Sequence, residues 1–547
     1  MSIKKNDIVE ILIDAMTSEG NGIGRLDGMV IFVPASAVGD KLKVKILKVK
    51  KNYAFGKIEE ILEPSKSRIK SDCMQYLKCG GCVYRHINYN EEKKIKKQKV
   101  IDALKKIGGF ENIKVTDIIG SKNVDNYRNK AQLPIGKNKV GNYELGFFAN
   151  HSHRIVNCTE CNLQPDIFKK VIDIFKVWLK ETSPTVYDEK TGKGLLRHLY
   201  IRQAENESKI EIMVCIIINS DQLPMEKLLV EYLTQAIPQI KSIIVNINKD
   251  KTNVIMGKKC KTLWGKDYIT DKLCDKNFNI SAHSFYQVNK KQTEVLYQLA
   301  ATYANCNKSD ILLDLYCGTG TIGLTMADKC KKLIGVEIVS EAIENAKNNS
   351  KINNVNNAEF ICSDAEKAAA MLLERGDHPN VIIVDPPRKG CSISLINTIV
   401  KMNPERIVYV SCDPATLARD LKLLVEKKYN IIEVTPVDMF PQTSHVETVC
   451  LLSKLQSKEH IEVEIKMDEL DLTAAESKAT YEEIKAYVLE HSGMKVSSLY
   501  IAQVKQKCGI IERENYNKPK SEDAKQPQCP PEKEKAIMEA LKHFGMI

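Results

Sequence analysis

The alternation of apolar and polar positions divides the chain into four stretches. In KLKVKILKVKK (Lys41–Lys51) lysines alternate with apolar residues, the two-residue period of a strand with one buried face. The phase slips at Ile46-Leu47, which predicts a β-bulge there. The preceding SEGNGIGRLDGMVIFVP supplies a glycine-rich turn and another strand, and Gly39-Asp40 a further turn. Residues 1–66 are therefore expected to form a small OB-like β-barrel, a fold that commonly binds nucleic acid. EPSKSRIKSD (Glu63–Asp72) reads as a linker. Residues 67–275 mix α and β patterns around a group of cysteines, with strands such as KIEIMVCIII (Lys209–Ile218). There, EEKKIKKQKVIDALKKIGGF reads as a helix whose lysine face is solvated. Residues 276–456 alternate apolar strand runs with helix patterns, which predicts βαβ units and a mainly parallel sheet.

Residues 457–547 read as a small helical extension. ATYEEIKAYVLEH has Thr480 and Glu483 at capping-box spacing. VSSLYIAQVKQKCG offers a helix starting at Ser497 or Ser498 and stopping at Gly509. CPPEKEKAIMEALKHFGMI offers a proline-started helix ended by Gly545. The expected fold class is α/β multidomain.

Composition narrows the picture modestly. The 547 residues suffice for three or four domains at roughly 150 residues each. An apolar content of 43% excludes wholesale disorder. A net charge of +11 suits a polyanionic partner such as nucleic acid. The N-terminus lacks the apolar core of a signal peptide, and no apolar run approaches the ~20 residues of a membrane helix. The reading is a cytoplasmic protein, no membrane contact, with its 17 cysteines mostly reduced.

The candidate chemistry begins at DILLDLYCGTGTIGLTMA, a strand followed by Gly318, Gly320 and Gly323 at G-x-G-x-x-G spacing. Glu337 ends the next apolar run, where a carboxylate accepts hydrogen bonds from ribose hydroxyls. That pairing fits NAD and equally the adenosine of S-adenosylmethionine (SAM). Asp364 follows the third strand, placed either to meet the adenine amino group or to cap the next helix. VIIVDPPRKG then delivers Asp385 and a stiff Pro-Pro to the carboxyl edge of the sheet. An NAD oxidoreductase leaves this Asp-Pro-Pro-Arg unexplained. A methyltransferase explains it, because its acceptor must lie beside the cofactor's sulfonium. In VYVSCDPATLARD, Cys412 stands where a strand meets a loop, open to packing, metal binding or nucleophilic attack. CMQYLKCGGC places Cys73, Cys79 and Cys82 around a glycine pair, with Cys158 or Cys161 available as a fourth thiolate. Zinc and an iron–sulfur centre both fit that spacing.

DPPRKG, VSCDPATLARD and SHVETVCLL, in this order, resemble the bacterial RNA uridine-C5 methyltransferases. The resemblance spans residues 4–456 and leaves out the extension. It implies SAM as cofactor, Cys412 as nucleophile and Glu447 as general base, with His445 the local rival for that role. Uracil C5 is a poor nucleophile; a thiolate adding to C6 turns the base into an enolate, and C5 then attacks the methyl group. A base removes the C5 proton, and elimination releases the thiol. The resemblance also implies cofactor contacts from Gln287 (in SFYQVN), Tyr316, Glu337 and Asp385. The cysteine array resembles the iron–sulfur branch, implying a [4Fe–4S] cluster on Cys73, Cys79, Cys82 and Cys161, with Cys158 left over. EGNGIGR resembles the TRAM domain's turn. The implied substrate is 23S rRNA at a uridine of the uracil-1939 type, transfer RNA being the alternative. The enzyme is expected to be a monomer without an obligate protein partner. Arg128, Lys130, Phe147, Phe148, His153 and Arg154 are candidate RNA contacts.

Overall fold

The computed structural model describes residues 3–150, 152–207, 209–454, 481–508, 529–544 and 546. They divide into two compact units, 1–456 and 457–547.

The first unit opens with a closed barrel of β1 (Ile8–Met16), β2 (Gly22–Leu26), β3 (Met29–Val33), β4 (Lys41–Val49) and β5 (Tyr53–Glu63), in the order β1-β2-β3-β5-β4. Its core is aliphatic: Ile11, Ile13, Ile31, Val33, Leu42, Val44 and Ile46. The β4–β5 register shifts between Ile46 and Lys48, where the alternation slips. Glu63–Asp72 is no free linker. Buried Asp40 accepts from the Ser65 amide at 2.9 Å and from Arg68 Nε and Nη2 at 2.8 and 2.7 Å.

Next come α1 (Tyr89–Ala103), β6 (Lys130–Lys137), β7 (Tyr143–Phe148), β8 (Ile155–Asn157), α2 (Asp166–Thr182), β9 (Leu196–Asn206), β10 (Lys209–Ile218), α3 (Glu226–Ala236), β11 (Ile240–Ile247) and β12 (Lys259–Gly265). The strands form one sheet, β12-β11-β10-β9-β6-β7-β8. On β10 the side chains alternate between two cores. Ile212, Val214, Ile216 and Ile218 join the core with Phe168, Phe175 and Trp178 of α2. Met213, Cys215 and Ile217 join the core shared with the hairpin β13 (Tyr268–Leu273), β14 (Lys276–Ser281) and the following sheet.

The lysine-rich helix α1 departs from expectation. Lys96 is fully buried, paired with Glu92 at 2.7 Å and with Asp438 at 2.7 Å. Val100 and Leu104 enter the core of the following sheet.

That sheet comprises β15 (Ile311–Leu315), β16 (Lys332–Glu337), β17 (Ala358–Cys362), β18 (Val381–Val384), β19 (Arg406–Ser411), β20 (Tyr429–Val437) and β21 (Glu447–Lys454), ordered β17-β16-β15-β18-β19-β21-β20. The first five strands are parallel, and β21 runs antiparallel between β19 and β20. Its helices are α4 (Lys290–Ala304), α5 (Thr321–Met326), α6 (Ser340–Ile352), α7 (Ala365–Glu374), α8 (Ile393–Met402) and α9 (Pro414–Glu426). Strand order reverses between β15 and β18, and at such a point a doubly wound sheet opens a crevice at its carboxyl edge.

The second unit contains α10 (Tyr481–Ser492), α11 (Ser498–Lys507) and α12 (Pro531–His543) around Ile484, Val488, Ile501, Val504, Ile537 and Leu541. Ser497 is the N-cap of α11, accepting from the Tyr500 amide, and Pro531 starts α12. Thr480, Gly509 and Gly545 lie outside the described residues. Among the described residues no helix is long and apolar enough to cross a membrane.

Candidate active site

The crevice is built from strand ends. Buried Asp314 of β15 accepts from the Gly323 amide at 2.9 Å. A Cβ on Gly323 would stand 2.9 Å from that carboxylate and 2.7 Å from Leu333, so only glycine lets α5 approach the strand this closely. Tyr316 follows β15 with φ +67, a left-handed conformation uncommon for an aromatic and of the kind that collects at ligand sites. Glu337, ending β16, accepts from the Gly318 amide at 3.3 Å and the Val339 amide at 2.9 Å. These bonds fix its carboxylate beside the glycine turn. Asp364 is the N-cap of α7, accepting from the Glu366 and Lys367 amides through one oxygen. Gln287 lies between β14 and α4. Its segment is held by buried Arg202 of β9, which donates to the Ser281 and Ser284 carbonyls, and by Asn129, which donates to the Gln287 carbonyl at 3.0 Å.

β19 and β21 pair antiparallel with Val410 opposite Val449 and Ser411 opposite Thr448, so Cys412, which follows β19, and Glu447, which begins β21, lie at the same end of the paired strands. The Glu447 charge acts on the Cys412 thiol, so the two groups are neighbours. Glu447 is 4% exposed. Burial, then the neighbouring Asp385 charge, pushes its carboxyl up to about 8, with Arg388 opposing. Burial likewise raises Asp385, at the lip of the crevice, to about 7. The half-buried Cys412 thiol rises to about 11 through burial and then the Glu447 and Asp385 charges, while Arg388 lowers it. His445 lies further along the loop. Burial and the cations Arg388, Lys99 and Lys96 push its imidazole down to about 4.

Asp413 caps α9, accepting from the Ala415 amide at 2.8 Å, and Pro414 begins the helix. Later in the same motif, fully buried Asp420 accepts from the Cys391 amide at 2.8 Å, Tyr409 O–H at 2.6 Å and Arg419 Nε at 2.7 Å. Arg419 also donates to the Lys389 and Cys391 carbonyls. The helix after Cys412 thus clamps the Asp-Pro-Pro-Arg loop.

Comparison with known proteins agrees with this geometry. Residues 226–455 match the family model described as tRNA (Uracil-5-)-methyltransferase, and residues 4–58 match the TRAM domain. A protein of Clostridium tetani named as an uncharacterized RNA methyltransferase is 46% identical over 451 residues, 82% of this chain and 97% of the relative. A Clostridium acetobutylicum protein of like name is 45% identical, covering 83% and 98%. The chain belongs to the RNA (uracil-5-)-methyltransferase family. The crystal structure of Pyrococcus abyssi tRNA (uracil-54, C5)-methyltransferase in complex with S-adenosyl-L-homocysteine is similar with a TM-score of 0.65 and 29% identity, covering 81% of this chain and 100% of that one.

A pocket lined by cysteines lies in the central region of this methyltransferase. Cys73, Cys79, Cys82, Cys158 and Cys161 line one pocket with Arg85, Arg128 and Tyr76. Burial raises the thiols of Cys79, Cys82, Cys158 and Cys161 above their ordinary range. Arg85 is itself buried and ion-paired with Asp72 and Asp125. Among the described residues no three His, Cys, Asp or Glu side chains gather as closely as a single metal ion requires. The cysteines surround the pocket instead. Arg128 faces these cysteines rather than open solvent, and Lys130 is largely enclosed, burial lowering it to about 8. Neither is presented as an open phosphate contact.

Sequence reasoning missed Asp314, Asp420 and Phe285. Phe285 stands two residues before Gln287 and is 69% exposed. The signal for it was an aromatic inside a polar segment. Asp420 lay inside a quoted motif but only its distant partners reveal its task.

Proposed function

We propose that the enzyme uses SAM to methylate C5 of a uridine in 23S rRNA through a covalent Cys412–C6 adduct. The observation that supports this reading is that Cys412, Glu447 and Asp385 gather at the carboxyl edge of the sheet closely enough for the two carboxylates to act on the thiol. SAM, when bound, supplies the methyl group as an electrophile. Glu337 would hold the ribose, Tyr316 and Gln287 would flank the cofactor, Asp364 would meet the adenine through the oxygen its capping role leaves free, and Asp385 would serve the acceptor side. The Cys412 thiol gives its proton to solvent and the thiolate adds to C6, moving the C5–C6 π pair into an enolate whose C5 accepts the methyl group. After transfer, Glu447 removes the C5 proton, the S–C6 bond breaks and the thiolate returns. Arg388, which lowers both groups, favours their charged forms. Exposed Phe285 offers a stacking surface for an unpaired base. The target uridine must leave its stack to reach the pocket. The enzyme works as a cytoplasmic monomer.

The shared pocket of these cysteines is consistent with the [4Fe–4S] cluster that the resemblance of the array implies. A cube of four irons takes one thiolate at each corner, so its ligands surround a volume. Cys73, Cys79, Cys82 and Cys161 would hold it, with Arg85 and Arg128 offsetting its negative charge. Cys158 already donates its thiol to the Glu160 carbonyl at 3.3 Å. Anaerobic purification should yield iron and sulfide in equal amounts; an iron-free protein with intact fold would sink this assignment.

RNA carrying 5-fluorouridine should trap the adduct, located at Cys412 by mass spectrometry. Cys412→Ala should form none yet bind SAM. Mapping 5-methyluridine in cells with and without the gene identifies the substrate. Loss from transfer RNA alone would favour the second reading, supported by the substrate of the Pyrococcus enzyme.

A further inference from the structure

The loop that leads into Glu447 is held carbonyl by carbonyl. Gln292 of α4 donates to the Asp438 carbonyl at 3.0 Å and Asn289 to the Met439 carbonyl at 3.1 Å. Buried Lys96 donates to the Phe440 carbonyl at 3.0 Å, and Tyr127 O–H to the Pro441 carbonyl at 2.9 Å. The Gln442 carbonyl accepts both the Val83 and the Tyr84 amides, at 2.7 and 3.1 Å. Lys99 donates to the Ser444 carbonyl at 2.9 Å. The Gln442 amide in turn donates to Glu92 at 2.7 Å. Gln442 itself has φ +70, a conformation its side chain disfavours and that these bonds impose.

Five of these seven donors belong to residues 83–127, the segment that begins directly after Cys82. An ordinary surface loop is solvated; this one has its backbone acceptors matched to a separate part of the chain. The charges behind it are buried. Lys96 sits between Glu92 and Asp438, and Asp438 also accepts from Tyr89 at 2.9 Å. The Val83 and Tyr84 amides directly follow Cys82, so the same bonds that hold the loop also anchor the edge of the cysteine pocket. Their common effect is to fix the path of residues 438–444, and so the point at which β21 begins with Glu447.

We propose that residues 83–127 act as a positioning clamp for Glu447, with Gln442 as the residue through which they act. The proposal rests on the reading of Glu447 as the base that ends the reaction. Its chemical consequence is specific. Thiol addition and methyl transfer come before the C5 proton is removed. A displaced Glu447 leaves an adduct with the S–C6 bond intact and both hydrogen and methyl on C5. A loosened clamp therefore slows release and not attachment.

The test uses Gln442→Val, whose branched side chain opposes a left-handed backbone, and Gln442→Asn, which tolerates it. Full-length variants are given SAM and RNA with ordinary uridine. The valine variant should lose kcat by on the order of ten- to a hundredfold. Its SAM affinity should be unchanged, and a methylated protein–RNA conjugate should accumulate on denaturing gels. The asparagine variant should behave like the parent. Should the valine variant fail to fold, Tyr127→Phe, which deletes only the bond to Pro441, should give a smaller rise in conjugate. Wild-type release rates in these variants, or a fall in kcat without conjugate, would overturn the clamp. If the parent forms no conjugate even with 5-fluorouridine RNA, the covalent reading itself has failed, and the clamp with it.

Discussion

Asp420→Ala should unfasten both loops of the active site at once. The wild-type carboxylate is fully buried and accepts from the Cys391 amide, Tyr409 O–H and Arg419 Nε. Alanine leaves the first two donors buried without an acceptor. Each such group costs about 1–3 kcal/mol, so the pair gives about 2–6 kcal/mol. Arg419 is 47% exposed and regains water, so its bond adds little. Asp420→Asn keeps one acceptor oxygen and should cost about 1–2 kcal/mol. Urea unfolding followed by circular dichroism measures both. Tyr409→Phe in a double-mutant cycle with Asp420→Ala should show a coupling of about 1–3 kcal/mol. Because the same carboxylate joins the Asp-Pro-Pro-Arg loop to the helix after Cys412, adduct yield on 5-fluorouridine RNA should fall in parallel. An alanine variant less than about 1 kcal/mol weaker, or additive with Tyr409→Phe, would refute the reasoning.

Three further changes probe the same architecture. Glu447→Gln should abolish turnover yet stabilise the ligand-free protein. The folded carboxyl is raised to about 8, so its favourable share is present below its ordinary range and lost as pH rises towards 8, and the variant should gain on the order of 3 kcal/mol at pH 7 but little at pH 4. Lys96→Met strands the Glu92 and Asp438 carboxylates and should cost about 3–5 kcal/mol at neutral pH, less in acid, where Glu92, raised by burial to about 7, is protonated; thermal melts at two pH values check this. Gly323→Ala drives a methyl into Leu333 and Asp314 and should cost about 1–3 kcal/mol, with weaker SAM binding by calorimetry.

Much of the fold follows from local patterns. The lysine–apolar alternation marks β4, and its slip at Ile46-Leu47 marks the register shift. Strand ends carrying Glu337, Asp364, Asp385 and Cys412 were legible because a parallel sheet sends every such end to one edge. The α1 lysines were not. Period alone makes Lys96 look solvated, whereas its partner Asp438 is 342 residues away. The same holds for Arg68, whose partner Asp40 ties down a stretch with a linker's composition. Arg128 looks like a phosphate contact by type, and only the folded chain turns it towards the cysteines. Local sequence reports backbone preference; it does not report which distant charge will neutralise a buried one.

The antiparallel seating of β21 beside β19 has a consequence for how the enzyme can vary. β21 lies between β19 and β20 with Val449 in one core and Cys450 and Leu452 in the other, so shifting it by one position would exchange the side chains the two cores receive and carry Glu447 off its place beside the end of β19. A single added residue within Glu447–Lys454 should therefore inactivate and destabilise in one stroke. Two added residues restore the facing and should be better tolerated. Between the nucleophile and the base the chain is fastened at Asp420 and again along residues 438–444, so length can change there only where neither anchor nor ladder loses step.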